Sequence, residues 1–294
     1  VDSGGELFRY EPVHMGAGVY WVGFYDRPAG LHCNPYLIVE GEEAVLIDGG
    51  SRPDFPQVMM KILKTGIHPS QISALIYQHY DPDLCGSLPH MEDMIEKEDL
   101  QILSKSENIM FIRHYGARSR IISTESVREV FRFRTGRTLR FYYTPYAHSE
   151  GNFITFDEKT GILFTSDIFG SYGVHTDFYL DFEEDCIRCE RALEMEDERR
   201  CRSLNKICPV MDILDFHQKI MTSERALRYA MEVISGIPFT LIAPQHGGII
   251  RDFKSIQMLV KRLRDLKNVG VDRFLKNIPY EKIGNIDALL ARKA

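Results

Sequence analysis

The chain has no run of apolar residues approaching the roughly 18 needed for a membrane-spanning helix. It has no low-complexity tract, and no Pro/Ser-rich linker precedes residue 250. It also lacks a strong charge of either sign. The net charge is −6, which gives no electrostatic reason to expect nucleic acid or an anionic membrane surface as a partner. The opening VDSGG has no initiator Met, basic n-region or apolar h-region, and reads as a cloning or processing remnant. Cysteine is scarce: six in 294 residues is too sparse for a disulfide scaffold. Four of them crowd into one short segment, which favours metal binding in a reducing compartment, so a cytoplasmic location is expected.

The rest is ordinary globular composition, 44% hydrophobic and 27% charged, enough for one large domain or two small ones. VYWVGFY, NPYLIVE and EEAVLIDGG read as strands rich in Val, Ile and Tyr. PDFPQVMMKILKTGI has helical spacing and stops at Gly66, and ISALIY is a buried strand. A helix over SLPHMEDMIEKE follows, then strands near LQILS, NIMFIRH and SRIIS. The second half repeats the theme through LRFYYTPYAHSEGN, FITFDEKTGILFTSD, a charged helical region, FTLIAPQHGG and a final amphipathic helix. Strand pairs ending in polar loops, with helices between, predict an α/β sandwich of two similar halves. Residues 266–294 are expected to be a C-terminal helical extension, or a connector to an output domain.

Four of the strand ends carry metal-ligand chemistry. YQHYDPDLCG places His79, Asp81 and Asp83 at alternate positions, then breaks the run with Leu84. His148 follows LRFYYTPYA, Asp167 follows GILFTS, and His246 follows LIAPQ. Taken singly, an Asp after a strand is a turn or cap residue and a His beside Gly is structural. Together, at the ends of strands where α/β sheets assemble their sites, they form a constellation.

That constellation resembles the metallo-β-lactamase superfamily, whose fold is a four-layer αββα sandwich. Within it the chain is most similar to the di-iron core of flavodiiron proteins and to stand-alone oxygen-binding relatives. VYWVG, NPYLIVEGEEAVLIDGG, CGSLP, ILFTSDIFG and APQHGG support the resemblance, which covers roughly residues 8 to 265. It implies one metal held by His79, Asp81 and His148, a second by Asp83 and His246, and Asp167 bridging the two. It departs from the family at Asp81, where Glu is usual, which shortens the carboxylate arm by one methylene. It departs from the hydrolytic members at Leu84, where they have a histidine on the second metal.

The donor chemistry points the same way. Zinc hydrolases of this fold use HxHxDH, a set dominated by imidazole. Here Asp81 and Leu84 replace two of those histidines, leaving three His and three carboxylates. The three negative charges nearly balance two ferrous ions; two ferric ions keep excess charge that an oxo or peroxo bridge neutralises. Leu84 leaves the second iron short of a ligand, open to water or a diatomic.

Residues 186–209 space Cys186, Cys189, Cys201 and Cys208 as C-x2-C-x11-C-x6-C. Four thiolates suit a [4Fe–4S] cluster or a structural Zn, and Cys208-Pro209 is similar to the ending of ferredoxin motifs. Reduced buried thiols without metal are the plainer reading. Cys33 and Cys85 are expected to be free thiols, with Cys85 beside the metal loop a candidate to line the pocket.

Flavodiiron reductases continue into a flavodoxin-like domain, but no phosphate-binding loop follows His246, so no FMN is expected in this chain. Three function classes stand. The first is a di-iron sensor of dioxygen or nitric oxide with a signalling partner. The second is an oxygen or nitric oxide reductase fed by a separate electron donor. The third is a zinc hydrolase, whose signature is broken twice. A second copy of the chain is also a candidate partner.

Overall fold

A computed structural model describes residues 10–26, 31–172, 178–189, 200–201 and 206–275. The first half begins with β1 (Val13–Gly16) and β2 (Val19–Trp21), followed by a two-stranded ribbon of β3 (Phe24–Asp26) and β4 (Leu31–Cys33). It continues through β5 (Tyr36–Glu40), β6 (Glu43–Ile47), β7 (Ile72–Ile76), β8 (Gln101–Ser104) and β9 (Arg120–Ser123). These form a seven-stranded sheet in the order β1-β2-β5-β6-β7-β8-β9. The second half supplies a five-stranded sheet in chain order from β10 (Val130–Arg132), β11 (Thr138–Tyr143), β12 (Phe153–Asp157), β13 (Ile162–Phe164) and β16 (Leu241–Ala243). Between β13 and β16 lies a small ribbon of β14 (Arg200–Cys201) and β15 (Lys206–Ile207).

Side-chain alternation along the strands divides the interior into three cores. In β5, Tyr36 and Ile38 join the core between the sheets while Leu37 faces the other way. In β6, Val45 and Ile47 face inward and Ala44 and Leu46 outward. In β13, Ile162 and Phe164 face the first sheet and Leu163 faces away from it. The outer face of the first sheet is covered by α1 (Phe55–Lys64), α2 (Pro82–Cys85), α3 (Leu88–Ile95) and α4 (Ser106–Arg113). After α5 (Glu184–Arg188), the outer face of the second sheet is covered by α6 (Pro209–Ile220), α7 (Glu224–Ser235) and α8 (Phe253–Asp265). The four-layer αββα sandwich follows. Among the described residues no helix is long and apolar enough to cross a membrane.

Two local expectations are corrected. NIMFIRH is not a strand: it lies in α4, where Asn108 and Ile112 are buried four residues apart while Met110 and Phe111 are exposed. A continuous apolar run does not reveal its period, and here the burial pattern is helical. The closing amphipathic stretch is not one helix either. It breaks after α8, buries Leu266 and Val269, and resumes as α9 (Val271–Leu275). Residues 276–294 lie outside the described residues.

One buried ion pair ties the two sheets together. Arg137, just before β11, donates from Nε to Asp157 Oδ1 at 3.0 Å and from Nη2 to Asp157 Oδ2. Its Nη1 reaches Glu40 Oε2 on β5 at 3.0 Å and the Ala17 carbonyl at 2.8 Å. Asp157 is fully buried, so removing the guanidinium strands a charge in the interior. Arg137→Ala should therefore cost about 3–5 kcal/mol in urea unfolding. A loss below about 1 kcal/mol, the scale of an exposed pair, would refute this reading.

Candidate metal centre

Each candidate ligand sits just beyond a strand, at the edge where β7, β11, β13 and β16 deliver their loops. After β7 the chain bends at Gln78 and His79; Asp81, itself extended, precedes Pro82 at the start of α2, and Asp83 lies in that helix's first turn. The loop is pinned from three directions. Asp48, at the end of β6, accepts from the Gln78 backbone N–H at 3.1 Å and from Gln78 Nε2 at 3.3 Å. Phe153 N–H donates to the Gln78 carbonyl at 3.2 Å, and Cys85 Sγ donates to the His79 carbonyl at 3.5 Å. Burial holds the Asp48 carboxyl up at about 8. Its anchoring role was missed in the sequence, although an Asp closing an apolar strand before Gly-Gly was a visible signal.

His148 lies in the turn between β11 and β12, closed by the Thr144 N–H donating to the Asn152 carbonyl at 3.0 Å. Asp167 follows β13, where Thr165 Oγ1 donates to the Ile168 carbonyl at 2.6 Å. The buried His217 of α6 holds the same turn: its Nε2 accepts from Phe169 N–H at 2.9 Å while Nδ1 donates to the Ile213 carbonyl. Burial keeps His217 down at about 4, hence neutral, as this acceptor role requires. Sequence reasoning missed it, because a lone His inside a helix carries no pattern.

The six side chains converge. His148 Nε2 lies 3.3 Å from Asp81 Oδ2 and 3.1 Å from Asp167 Oδ2. His79 Nε2 lies 3.8 Å from Asp81 Oδ2 and 3.7 Å from Asp167 Oδ1. His246 Nε2 lies 3.2 Å from Asp83 Oδ2 and 3.5 Å from Asp167 Oδ1. His79, Asp81 and His148 thus form one cluster, Asp83 and His246 belong to a second, and Asp167 touches both. Leu84 does not face either cluster with a donor; its side chain is spent in the helix-side core.

The donor set fits a metal pair. His79 Nε2 and Asp167 Oδ1 are buried with no hydrogen-bond partner, an expensive arrangement unless a cation takes their lone pairs. The tautomer of His79 agrees. Ser166 Oγ donates to Asn152 Oδ1 at 2.7 Å, so it can only accept from His79 Nδ1 at 2.9 Å, which leaves Nε2 unprotonated and aimed inward. Without metal, protons stand in for the missing charge. Burial opposes a cationic His148, yet the Asp167 and Asp81 carboxylates raise it to about 10. His246 is raised in the same way by Asp167 and Asp83. Asp167 is held well below the carboxylate range, its burial outweighed by the three imidazoles.

Cys33, expected to be a free thiol, is free and buried, and its Sγ lies within 4.8 Å of ligand atoms of both Asp83 and His246. Burial pushes its thiol up. Cys85, the candidate to line the pocket, instead packs in the helix-side core. Of the four-cysteine segment, the side chain of Cys201 lies outside the described residues. Cys186, Cys189 and Cys208 are half-buried, and no metal-like cluster is found among them. Arg262 of α8 donates from Nη2 to the backbone carbonyls of Cys186 at 3.3 Å and Cys189 at 2.5 Å.

Two layers of sheet between two layers of helix, with clustered His and Asp side chains in the strand-end loops, define a metallo-β-lactamase-like protein. More narrowly, the chain belongs to the ODP family beta lactamase group, whose model matches residues 31–247. It is 29% identical over 147 residues to a putative diflavin flavoprotein A 1 of a Nostoc strain, covering 49% of this chain and 24% of that protein. Among solved structures, the peroxy diiron species of chemotaxis sensor ODP superposes with a TM-score of 0.68 at 22% identity. That match covers 91% of this chain and 99% of the sensor chain. Rubredoxin oxygen:oxidoreductase from Desulfovibrio gigas gives a TM-score of 0.66 at 19% identity, covering 86% of this chain and 61% of that one. The matches to the first curated relatives span only 24% to 56% of those proteins' lengths.

Removing the partner that orients His79 should weaken the site without dismantling it. Ser166→Ala is expected to lower metal affinity about 10–100-fold, as loss of an outer-shell partner does. Competition between the apoprotein and a chromophoric chelator for zinc reads this directly. An unchanged affinity would show that Ser166 does not set the orientation of His79.

Proposed function

We propose that the protein is a non-haem di-iron protein that reacts with dioxygen or nitric oxide, and that it works as a sensor. The observation that carries the metal reading is the pair of clusters sharing Asp167, with buried imidazole and carboxylate lone pairs left over. His79, Asp81 and His148 would hold one iron, Asp83 and His246 the other, and Asp167 would bridge them. Bound there, the irons supply one-electron redox chemistry and positions for a diatomic. The carboxylates favour iron over zinc as harder anionic donors. The chain's own residues orient the ligands and keep water from the cluster: His79 and Asp167 are nearly fully buried, while Asp81 and Asp83 remain partly open to the approach side.

The family match over residues 31–247 and the likeness to the chemotaxis sensor ODP over 91% of this chain support the sensor reading. Complete reduction of dioxygen also takes more electrons than two ferrous ions hold, so a reductase needs steady delivery from a donor. Protein loaded anaerobically with iron should bind about two irons per chain and develop a visible charge-transfer band on aeration. Stoichiometric zinc and no oxygen-dependent band, after expression in ample iron, would overturn the di-iron reading. Sustained oxygen or nitric oxide consumption with reduced rubredoxin would favour the reductase; a single stoichiometric uptake favours the sensor.

The four cysteines are proposed to hold a second centre, [4Fe–4S] in preference to Zn. The C-x2-C pair and the Cys208-Pro209 ending support it. Anaerobic analysis should find acid-labile sulfide in wild type and none in Cys186→Ala/Cys189→Ala. Absence of sulfide from wild type would exclude the cluster.

A further inference from the structure

The second half of the site is short of ligands when counted from histidines and carboxylates alone: Asp83 and His246 are its own, and Asp167 is shared. The position that supplies a further imidazole in hydrolytic relatives is Leu84, buried away in the helix-side core. A different element fills the gap. Cys33 ends β4 and belongs to neither the His79 loop nor the His246 loop, yet its Sγ lies within 4.8 Å of both an Asp83 oxygen and a His246 nitrogen.

This approach is built, not incidental. Asn34, the next residue, is 2% exposed and clamps the backbone here to the loop carrying His246. Its N–H donates to the Gln245 carbonyl at 2.9 Å, and its Nδ2 donates to the carbonyls of Pro244 at 2.9 Å and Gly247 at 2.8 Å. Trp21 Nε1 donates to Asn34 Oδ1 at 2.8 Å and fixes the amide's orientation, while Tyr36 Oη donates to the Pro244 carbonyl at 2.7 Å. Five hydrogen bonds thus hold the residues flanking Cys33 and His246 in one register. The Asp167 Oδ1 atom supplies an independent sign of a ligand: it is buried without a hydrogen-bond partner 3.5 Å from His246 Nε2.

We propose that Cys33 is a thiolate ligand of the metal held by Asp83, His246 and the bridging Asp167. The inference rests on the di-metal reading of the site and deepens it. As the metal–sulfur bond forms, the Sγ–H proton leaves to solvent; no electrons move. Charge balance favours the assignment. Asp81, Asp83 and Asp167 with one thiolate carry four negative charges, matching those of two ferrous ions in a region where net charge is costly to bury. A sulfur donor also makes the halves unequal, one held by nitrogen and oxygen, the other by nitrogen, oxygen and a soft, electron-donating sulfur.

Cobalt(II) is the probe, because thiolate coordination gives it a near-ultraviolet charge-transfer band that imidazole and carboxylate do not. Anaerobic apoprotein of the full chain is titrated with cobalt as wild type, Cys33→Ser, Cys85→Ala, His79→Ala and His246→Ala. The wild-type minus Cys33→Ser difference spectrum should show a thiolate band, absent from the wild-type minus Cys85→Ala difference. The wild-type minus Cys33→Ser difference removes any contribution from the other five cysteines. His246→Ala should lose the same band. Cys33→Ser should still bind cobalt, but the weaker of the two ions should dissociate at a concentration at least about tenfold higher, the least that even outer-shell losses cost. Equal bands in wild type and Cys33→Ser, at equal cobalt content, would overturn the ligand assignment and leave the di-metal site standing. Cobalt content unaltered by both His79→Ala and His246→Ala would instead sink the metal site itself. Circular dichroism of each variant shows that the comparison is between folded proteins.

Discussion

A fully buried carboxylate facing three imidazoles is the constraint around which the molecule is arranged. Asp167 cannot be left charged and alone in the interior, and His79, His148 and His246 all close on it. Each of those histidines comes from a different strand end, so the sheets must bring four loops to one place. The turn that presents Asp167 is itself held by His217, and the His79 loop by Asp48 and Gln78. The polar network behind the site is therefore as extensive as the site itself, and most of it serves to fix orientation.

The donor side chains are also divided unevenly in exposure. His79, Asp167 and His246 are sealed in, whereas Asp81 and Asp83 keep some contact with solvent. His148 is likewise partly exposed, so the solvent-facing side of the site is formed by Asp81, Asp83 and His148. The side opposite is closed by core packing, with Phe216 against the His246 ring at 5.7 Å.

The architecture and the six-residue constellation were legible in the sequence for a definite reason. Strands that end in a polar ligand leave a sharp boundary between apolar run and loop, and the period-2 pattern of β5, β6 and β13 is plain. NIMFIRH misled because its apolar residues are contiguous, and only burial reveals that Asn108, a polar residue, takes the inward position with Ile112. The contribution of Cys33 was illegible because it arrives through tertiary structure alone: nothing near it in sequence hints that Asn34 will lock it against a loop more than 200 residues away. Cys85 looked more promising because it is close in sequence to Asp83. It points the other way, because residues two apart in a helical turn do not share a face.

The two sheets meet the site from opposite sides. His79, Asp81 and Asp83 hang from the first sheet, and His148, Asp167 and His246 from the second. Either cluster, filled by a cation, is thus a cross-link that adds to the apolar packing, the Arg137 bridge and the Asn34 and Tyr36 hydrogen bonds already joining the layers. Occupancy then acts as a clasp on the sandwich, adding its binding free energy to the cohesion of the fold. A change in the charge or radius of the bound ions becomes a change in how firmly the halves are pressed together. A filled site would thus bear on both sheets at once, because its side chains come from each.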